Sequence, residues 1–269
     1  LSRGPALHAW RAPTDNDTLS GEAARWRSAG LDRLEHVVTG FEVAQPSPQA
    51  VRVLTRVRSA APDAPVGFES TYTYTILANG DILLDHEVQP FGDMPDLPCL
   101  GVAMALPGRY QRFAWYGPGP HETYPDRRLG AMIGNYESTV TEQYVPYIMP
   151  QEHGNHCDVR WATLTSESGV GLLVTGDPVV NVKVSPFALG DLTQARHTYE
   201  LVPSPDVFLY LDHAVSGLGN GSCGPGVLPQ YRVPAQPYRY SLRFRPFGAG
   251  SPPPQRLARE LRSGGWQRV

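Results

Sequence analysis

The sequence predicts an all-β fold, a large antiparallel sandwich of two layers. Three observations point there. Short runs alternate apolar and polar residues with period two along most of the chain. Two such runs flank Asn79-Gly80-Asp81, the strongest hairpin signal a short segment carries. Helical periodicity is scarce, while Gly and Pro, 27 of each in 269 residues, are scattered without period, which excludes collagen and disfavours long helices. A chain of this length can bury a substantial core.

Taken in order, residues 20–29 read as a short helix with Ser20 as N-cap and Gly30 past its end. Strands are expected at 50–58, 68–77 and, after the Asn-Gly turn, 82–88, with a further one at 100–106. The middle continues with 158–164, a turn at Glu167-Ser168-Gly169, and 170–175. Later strands are expected at 179–184, 198–202, 207–211 and 238–245. Residues 189–196 have room for one or two helical turns, and 255–262, after Pro252, Pro253 and Pro254, are either a helix or a frayed tail. These strands outnumber those of an immunoglobulin-sized sandwich. Residues 1–250 are therefore read as one β-sandwich domain and 251–269 as a Pro-rich segment and C-terminal tail. No internal repeat is visible.

Composition narrows the function classes. Apolar residues are 41% and charged residues 18%, which argues against disorder. A net charge of −3 offers no field for a polyphosphate, so nucleic acid and anionic membrane are not expected partners. No apolar stretch approaches the roughly 20 residues of a membrane span, and no basic-then-apolar leader opens the chain. The chain starts at Leu1 without an initiator Met and reads as a piece of a longer polypeptide. Its three cysteines, Cys99, Cys157 and Cys223, are odd in number and too widely spaced for a zinc ligand pair. No disulfide framework and no metal site are expected, and a cytoplasmic location follows.

Candidate chemistry concentrates in loops. Asp15-Asn16-Asp17 is dense in oxygen but lacks the Gly and distal Glu of a calcium loop, so turn and helix capping is the preferred role. No Gly-x-Ser-x-Gly elbow and no Gly-x-Gly-x-x-Gly before a helix appear, which disfavours a serine hydrolase and a dinucleotide enzyme. Residues 115–127, 144–156 and 217–226 each mix aromatic rings, amides or carboxylates, and glycine. Sugars need that mixture: flat apolar faces for C–H groups, planar partners for hydroxyls, and closely approaching backbone donors. The structural alternative is that these side chains pack the ends of a sandwich, with Arg127 and Asp126, and Arg11 with Asp15 or Asp17, as loop-fixing ion pairs.

The words in these segments carry a resemblance. His8-Ala-Trp-Arg-Ala-Pro-Thr-Asp-Asn-Asp17, Trp115-Tyr-Gly-Pro-Gly-Pro-His-Glu-Thr-Tyr-Pro-Asp-Arg127, Tyr144-Val-Pro-Tyr147, Pro150-Gln-Glu152, Gly154-Asn155 and Ser222-Cys-Gly-Pro225 resemble, in order and spacing, the C-terminal small-chain domain of glycoside hydrolase family 2 β-galactosidases. The resemblance covers residues 7–247.

It implies a supersandwich of the galactose mutarotase-like type, and a preceding catalytic barrel that carries two glutamates. This fragment would then hold no cofactor of its own, with Mg2+, and Na+ as its companion, expected in the absent catalytic domain. Retaining hydrolysis needs two carboxyl groups about 5–5.5 Å apart. The implied partners are a galactoside, the upstream barrel and a homo-oligomer. The late loop would reach the sugar through Cys223, Ser222, Asn220 and Gly221. Cys223 stands where well-studied members carry an aromatic, usually Trp, and a thiol cannot supply that stacking face. His121, Glu122, Tyr124, Glu152, His153 and Asn155 are further loop or pocket candidates. Two other readings share the fold. One is a freestanding aldose 1-epimerase using His153 or His197 with Glu152 or Glu122 as acid and base. The other is a carbohydrate-binding module without catalysis.

Overall fold

The computed structural model describes residues 1–260; the last part of the expected 255–262 helix and the rest of the tail lie outside the described residues. Fourteen strands follow one another: β1 Arg3–His8, β2 Glu35–Ser47, β3 Ala50–Ala60, β4 Gly67–Leu77, β5 Ile82–Phe91, β6 Cys99–Pro107, β7 Arg112–Gly119, β8 Met132–Thr139, β9 His156–Val159, β10 Trp161–Thr165, β11 Gly171–Gly176, β12 Val180–Ser185, β13 Asp206–Val215 and β14 Tyr238–Phe247. They form a five-stranded sheet, β1-β6-β13-β12-β9, and a nine-stranded sheet, β2-β3-β4-β5-β14-β11-β10-β7-β8. Every pairing is antiparallel.

The expected architecture is therefore present. Alternation places Leu7, Val102, Met104, Leu209 and Leu211 of the smaller sheet in one apolar cluster with Phe68, Leu84, Phe113, Trp115, Leu242 and Phe244 of the larger. Burying such side chains is worth roughly 1.5–3 kcal/mol each, and this inter-sheet layer holds the fold. No helix among the described residues is long and apolar enough to cross a membrane.

Among the described residues four short α-helices decorate the sandwich: α1 Asp15–Leu19, α2 Glu22–Ser28, α3 Leu189–Gln194 and α4 Pro254–Arg259. The helix expected at 20–29 is α2, and α1, just before it, was not expected. Thr14 caps α1 in a reciprocal box, its hydroxyl accepting from Asp17 N–H at 3.1 Å while Asp17 Oδ2 accepts from Thr14 N–H at 2.9 Å. Ser20 closes α1 instead of opening α2, whose N-cap is Gly21 at φ 84°. The third helix falls where one or two turns were expected. Within the tail, α4 buries Leu257 and its Leu257 carbonyl accepts from Arg243 Nη1 at 3.1 Å.

Two strand expectations are corrected. The run 158–164 is two strands in different layers: β9 pairs with β12 in the smaller sheet, and β10 pairs with β7 and β11 in the larger. Asp158, at φ 53°, bends β9 near its end, and Arg160 alone separates the two strands. Both pieces are buried, so the alternation continues across the crossover and hides it. Residues 198–202 are not a strand. Thr198–Glu200 form a 3-10 turn in which the Glu200 carboxylate accepts from Arg196 N–H and faces His197. Tyr199 and Val202 are exposed, so no burial rewards extension there. β1, β2, β7 and β8 were not anticipated. Of the supposed loop 115–127, residues 115–119 are the end of β7.

Candidate functional site

The loop 217–226 follows β13, and half of its residues are glycine. Glycine-rich backbone is costly to order, so what holds this loop is the central question. Arg11 lies beneath its start, 1% exposed, with Nη1 donating to Ser216 O and Nη2 to Gly217 O, each at 3.0 Å. The same guanidinium grips Asp17 through Nε at 3.0 Å and Nη2 at 2.6 Å. Burial alone would lower the Arg11 pKa, but the Asp17 carboxylate and the charge of Glu152 outweigh it and the group stays charged. Asp15 takes no part in this pair; its N–H donates to Gln151 Oε1 at 3.2 Å.

Three further side chains seize the loop itself. Asn16 Nδ2 donates to Gly219 O at 2.8 Å, and Asn16 Oδ1 accepts from Ser222 N–H at 3.0 Å and Ser222 Oγ at 2.6 Å. Asp126 accepts from Leu218 N–H at 3.0 Å and Gly219 N–H at 2.8 Å. Arg127 donates from Nη2 to Gly219 O and to Asn220 Oδ1. Asp126 and Arg127 thus act side by side on the loop and do not form the mutual ion pair that sequence suggested. The tip closes on itself, with Cys223 N–H and Gly224 N–H both donating to Asn220 O. Asn220, Ser222 and Cys223 face outward, and Gly221 is half-buried.

The other candidates form a packed brace beneath this rim. Tyr124 is 1% exposed, packs with Leu218 of the loop, and donates to Glu152 Oε1 at 3.2 Å. Glu152 Oε2 accepts from Lys183 Nζ at 2.6 Å. Burial pushes the Glu152 pKa up, but the Lys183 ammonium and Arg11 overcome that and hold it below the usual carboxylate range. Asn155 exchanges bonds with the Thr123 backbone, its Nδ2 donating to Thr123 O at 2.8 Å and its carbonyl accepting from Thr123 N–H at 2.6 Å. Glu122 accepts from Gly154 N–H at 2.6 Å and from the Tyr147 hydroxyl. Its pKa is raised, chiefly by burial. The segments 115–127 and 144–156 therefore interlock. His153 is buried with Nδ1 on Gln151 O, while His121 is exposed and His197 lies on the surface beside Glu200. Glu152 and His153 are both closed off from solvent, an arrangement ill-suited to acid–base work on a sugar ring.

Sequence reading did not single out Asn16 as a loop contact, and it passed over Lys183, the sole lysine of the chain. An Asp-Asn-Asp run looks like capping, and Asp17 does cap; nothing local distinguishes the residue that points the other way. For Lys183 the pattern carried no signal: it stands in the polar phase of β12, between Val182 and Val184 that face the other sheet, and only the segment folded over the outer face buries it.

Among the described residues one group has metal-ligand character: His8, Cys99 and Asp212, buried, with ligand atoms within 4.8 Å of one another. His8 Nδ1 is 2.9 Å from Asp212 Oδ1, and Cys99 Sγ reaches Trp10 O at 3.5 Å. Imidazole, thiol and one carboxylate do not suit Mg2+, which wants six oxygens, so that ion finds no fit here.

Comparison with known proteins decides what the chain is related to. The family model described as beta galactosidase small chain matches residues 1–244. The chain belongs to the β-galactosidase small-chain family. Among curated relatives, a beta-galactosidase of Priestia megaterium is 34% identical over 223 residues, covering 81% of this chain and 21% of that protein. One from Arthrobacter sp. is 33% identical over 270 residues, covering 90% and 26%. One from Kluyveromyces lactis is 33% identical, covering 89% and 23%. This small-chain domain thus spans about a quarter of the length of the relatives it matches. Solved structures similar to it include an aldose epimerase homologue from C. elegans, 13% identical with TM-score 0.38, covering 77% of this chain and 68% of that one. A galactose 1-epimerase from Lactobacillus acidophilus is 10% identical with TM-score 0.36, covering 81% and 67%. Likeness at that level carries no functional inference.

Proposed function

We propose that this small-chain domain is the C-terminal wall of a retaining β-galactosidase acting on terminal β-D-galactosyl groups, with the loop 217–226 bordering the sugar pocket. The observation that carries this reading is the loop's construction. Its base is fixed by Arg11, Asn16, Asp126 and Arg127, while Asn220, Ser222 and Cys223 are presented outward. A loop so heavily pinned yet exposed at its tip is built to hold a shape for something that docks against it. Exposed apolar side chains on two segments, Leu129, Met132 and Ile133, then Ile148 and Met149, support a second body of protein packed on this one.

The bond-breaking step belongs elsewhere. A retaining hydrolase needs one carboxyl to protonate the leaving oxygen and another to attack the anomeric carbon. Glu152 is buried with both oxygens bonded, and Glu122 is bonded to Gly154 and Tyr147. We assign the two catalytic glutamates, and Mg2+ with Na+ beside it, to the upstream barrel. Here the tip offers the acceptor lone pairs of the Ser222 hydroxyl, whose proton goes to Asn16, while the Ser222, Cys223 and Gly224 N–H groups are taken up by Asn16 and by Asn220 O. Cys223 fills the aromatic position with a small thiol, so ring stacking is weak from this side. Three free thiols suit a reducing cytoplasm, and assembly as a homo-oligomer belongs to the same proposal.

The test is Cys223→Trp and Asn220→Ala in the full-length enzyme. A restored stacking face is expected to tighten galactoside binding by on the order of 1 kcal/mol, and loss of Asn220 to weaken it. If kcat/KM for lactose is unmoved in both, the loop does not border the pocket. The isolated domain is expected neither to cleave nitrophenyl β-galactoside nor to speed the mutarotation of α-galactose; turnover in either assay would overturn the assignment of chemistry to the barrel.

A further inference from the structure

Two of the odd sequence words hold the loop from opposite sides: the run ending in Asp15-Asn16-Asp17, and Asp126-Arg127. Both converge on one short stretch of backbone, Ser216 to Ser222. The two acids and the amide in the first word have separate duties. Asp17 is turned inward, taken up by the Thr14 cap and by Arg11. Asp15 is exposed at the surface, where its N–H meets Gln151. Of these three Asn16 is turned onto the loop, and among the described residues it is the only loop-holding side chain that touches both sides of the tip. It donates to Gly219 before the turn and accepts twice from Ser222 after it. Asp126 and Arg127 stop at Leu218, Gly219 and Asn220.

The amide is the group this duty requires. One end must donate to a carbonyl while the other accepts, within a single short side chain. Asp cannot donate, and Ala can do neither. Contact with the helix is close as well. A Cβ added at Gly221 would lie 2.7 Å from Asn16 O and 2.8 Å from Ser20 Cβ, so the tip is seated directly on the end of α1.

We propose that Asn16 is a positioning residue: it sets the place of the 217–226 tip, and through it the place of Cys223 and Ser222 against the sugar. The second half of that statement rests on the reading of the loop as the pocket border. The first half stands on the contacts alone. Asn16 touches no substrate in this scheme. It acts by choosing one conformation of a glycine-rich segment that would otherwise sample many, so its effect falls on binding before it falls on the chemical step.

Cys223 supplies the reporter, because the other two cysteines are buried. The experiment follows the reaction of Cys223 with a disulfide reagent in the isolated chain, for wild type, Asn16→Ala and Asn16→Asp. Steady-state kinetics of the same variants in the full-length enzyme run alongside. Asn16→Ala is expected to change the rate at Cys223 by about tenfold, while the thermal midpoint falls by only about 2–4 °C, as for the loss of one surface-linked side-chain interaction. In the enzyme it should raise KM by about tenfold with kcat changed much less. Asn16→Asp keeps the acceptor for Ser222 and loses the donor to Gly219, so it should fall between the two. An unchanged thiol rate in both variants overturns the positioning role. A changed thiol rate with unchanged KM upholds the role of Asn16 and overturns the reading of the loop as a wall of the sugar site.

Discussion

Lys183 Nζ stands 2.6 Å from Glu152 Oε2, and each side chain is only 4% exposed. The sole lysine of the chain is thus buried on the outer face of β12, beneath the segment 144–156, while Val182 and Val184 on either side of it face the other sheet. Removing one partner leaves a buried charge without compensation. Lys183→Met is expected to cost about 3–5 kcal/mol, and Lys183→Met with Glu152→Gln to recover most of that, since the second change removes the orphan. Urea unfolding of the two variants is the measurement. Equal midpoints for single mutant, double mutant and wild type would show that the pair is not coupled.

Acid should loosen the fold in two stages. Burial pushes the His86 pKa down to about 3 and the His156 pKa down to about 4. A histidine whose folded pKa is depressed contributes stability above its unfolded value, near 6.5, and loses it as pH falls. His36, His153 and His213 shift in the same direction, again by burial. Two such groups alone remove about 2–3 kcal/mol between about pH 7.5 and 5.5. Glu152, whose folded pKa is held low, adds a second loss only below its unfolded value, near pH 4.3. Urea midpoints that stay flat from about pH 7.5 to 5.5 would contradict the first stage.

Where the sequence was legible, one local rule agreed with the tertiary structure. The Asn79-Gly80-Asp81 turn gave the β4–β5 hairpin because Gly80, at φ 88°, is demanded by the turn and supplied by the residue. It failed where tertiary context overrode local pattern. β2 is an edge strand exposed along nearly its whole length, so no buried face imprints alternation on it. The end of β7 reads Trp-Tyr-Gly-Pro-Gly, loop vocabulary by composition, yet Trp115 is packed in the core and Gly117 lies against Val159. In the site, residue types pointed to the right segments, but which of Asp15, Asn16 and Asp17 faces the loop is settled by a helix cap and a buried arginine, neither visible in a list of residues.

Gly101 shows a close approach that only glycine permits. It sits in β6 opposite His8 of β1 on one side and Asp212 of β13 on the other. A Cβ there would lie 2.3 Å from Leu211 O and 2.4 Å from Asp212 Oδ1, so the His8–Asp212 contact occupies the space a side chain would need. Gly101→Ala is expected to destabilise by at least about 2 kcal/mol, because backbone and not a flexible side chain must yield. Gly130→Ala meets nothing within 4 Å and should stay within about 0.5 kcal/mol of wild type. Thermal denaturation of the pair separates close packing from a general intolerance of change.

Selective alkylation should read out the loop directly. Cys223 is exposed, whereas burial pushes the Cys157 thiol up to about 12 and the Cys99 thiol well above its usual value. The thiolate is the reacting species. Iodoacetamide at about pH 8, near the ordinary thiol pKa, is therefore expected to add one label, at Cys223, visible as a single mass increment and located by peptide mapping. Labelling at Cys99 or Cys157 under native conditions would mean that the sandwich opens more readily than its packing implies. In the full-length enzyme, saturating galactose should slow the labelling several-fold, because a sugar seated against the tip shields the sulfur and holds Ser222 and Asn220 still. Equal rates with and without galactose would leave Cys223 outside the occupied pocket and remove the loop from the proposed site.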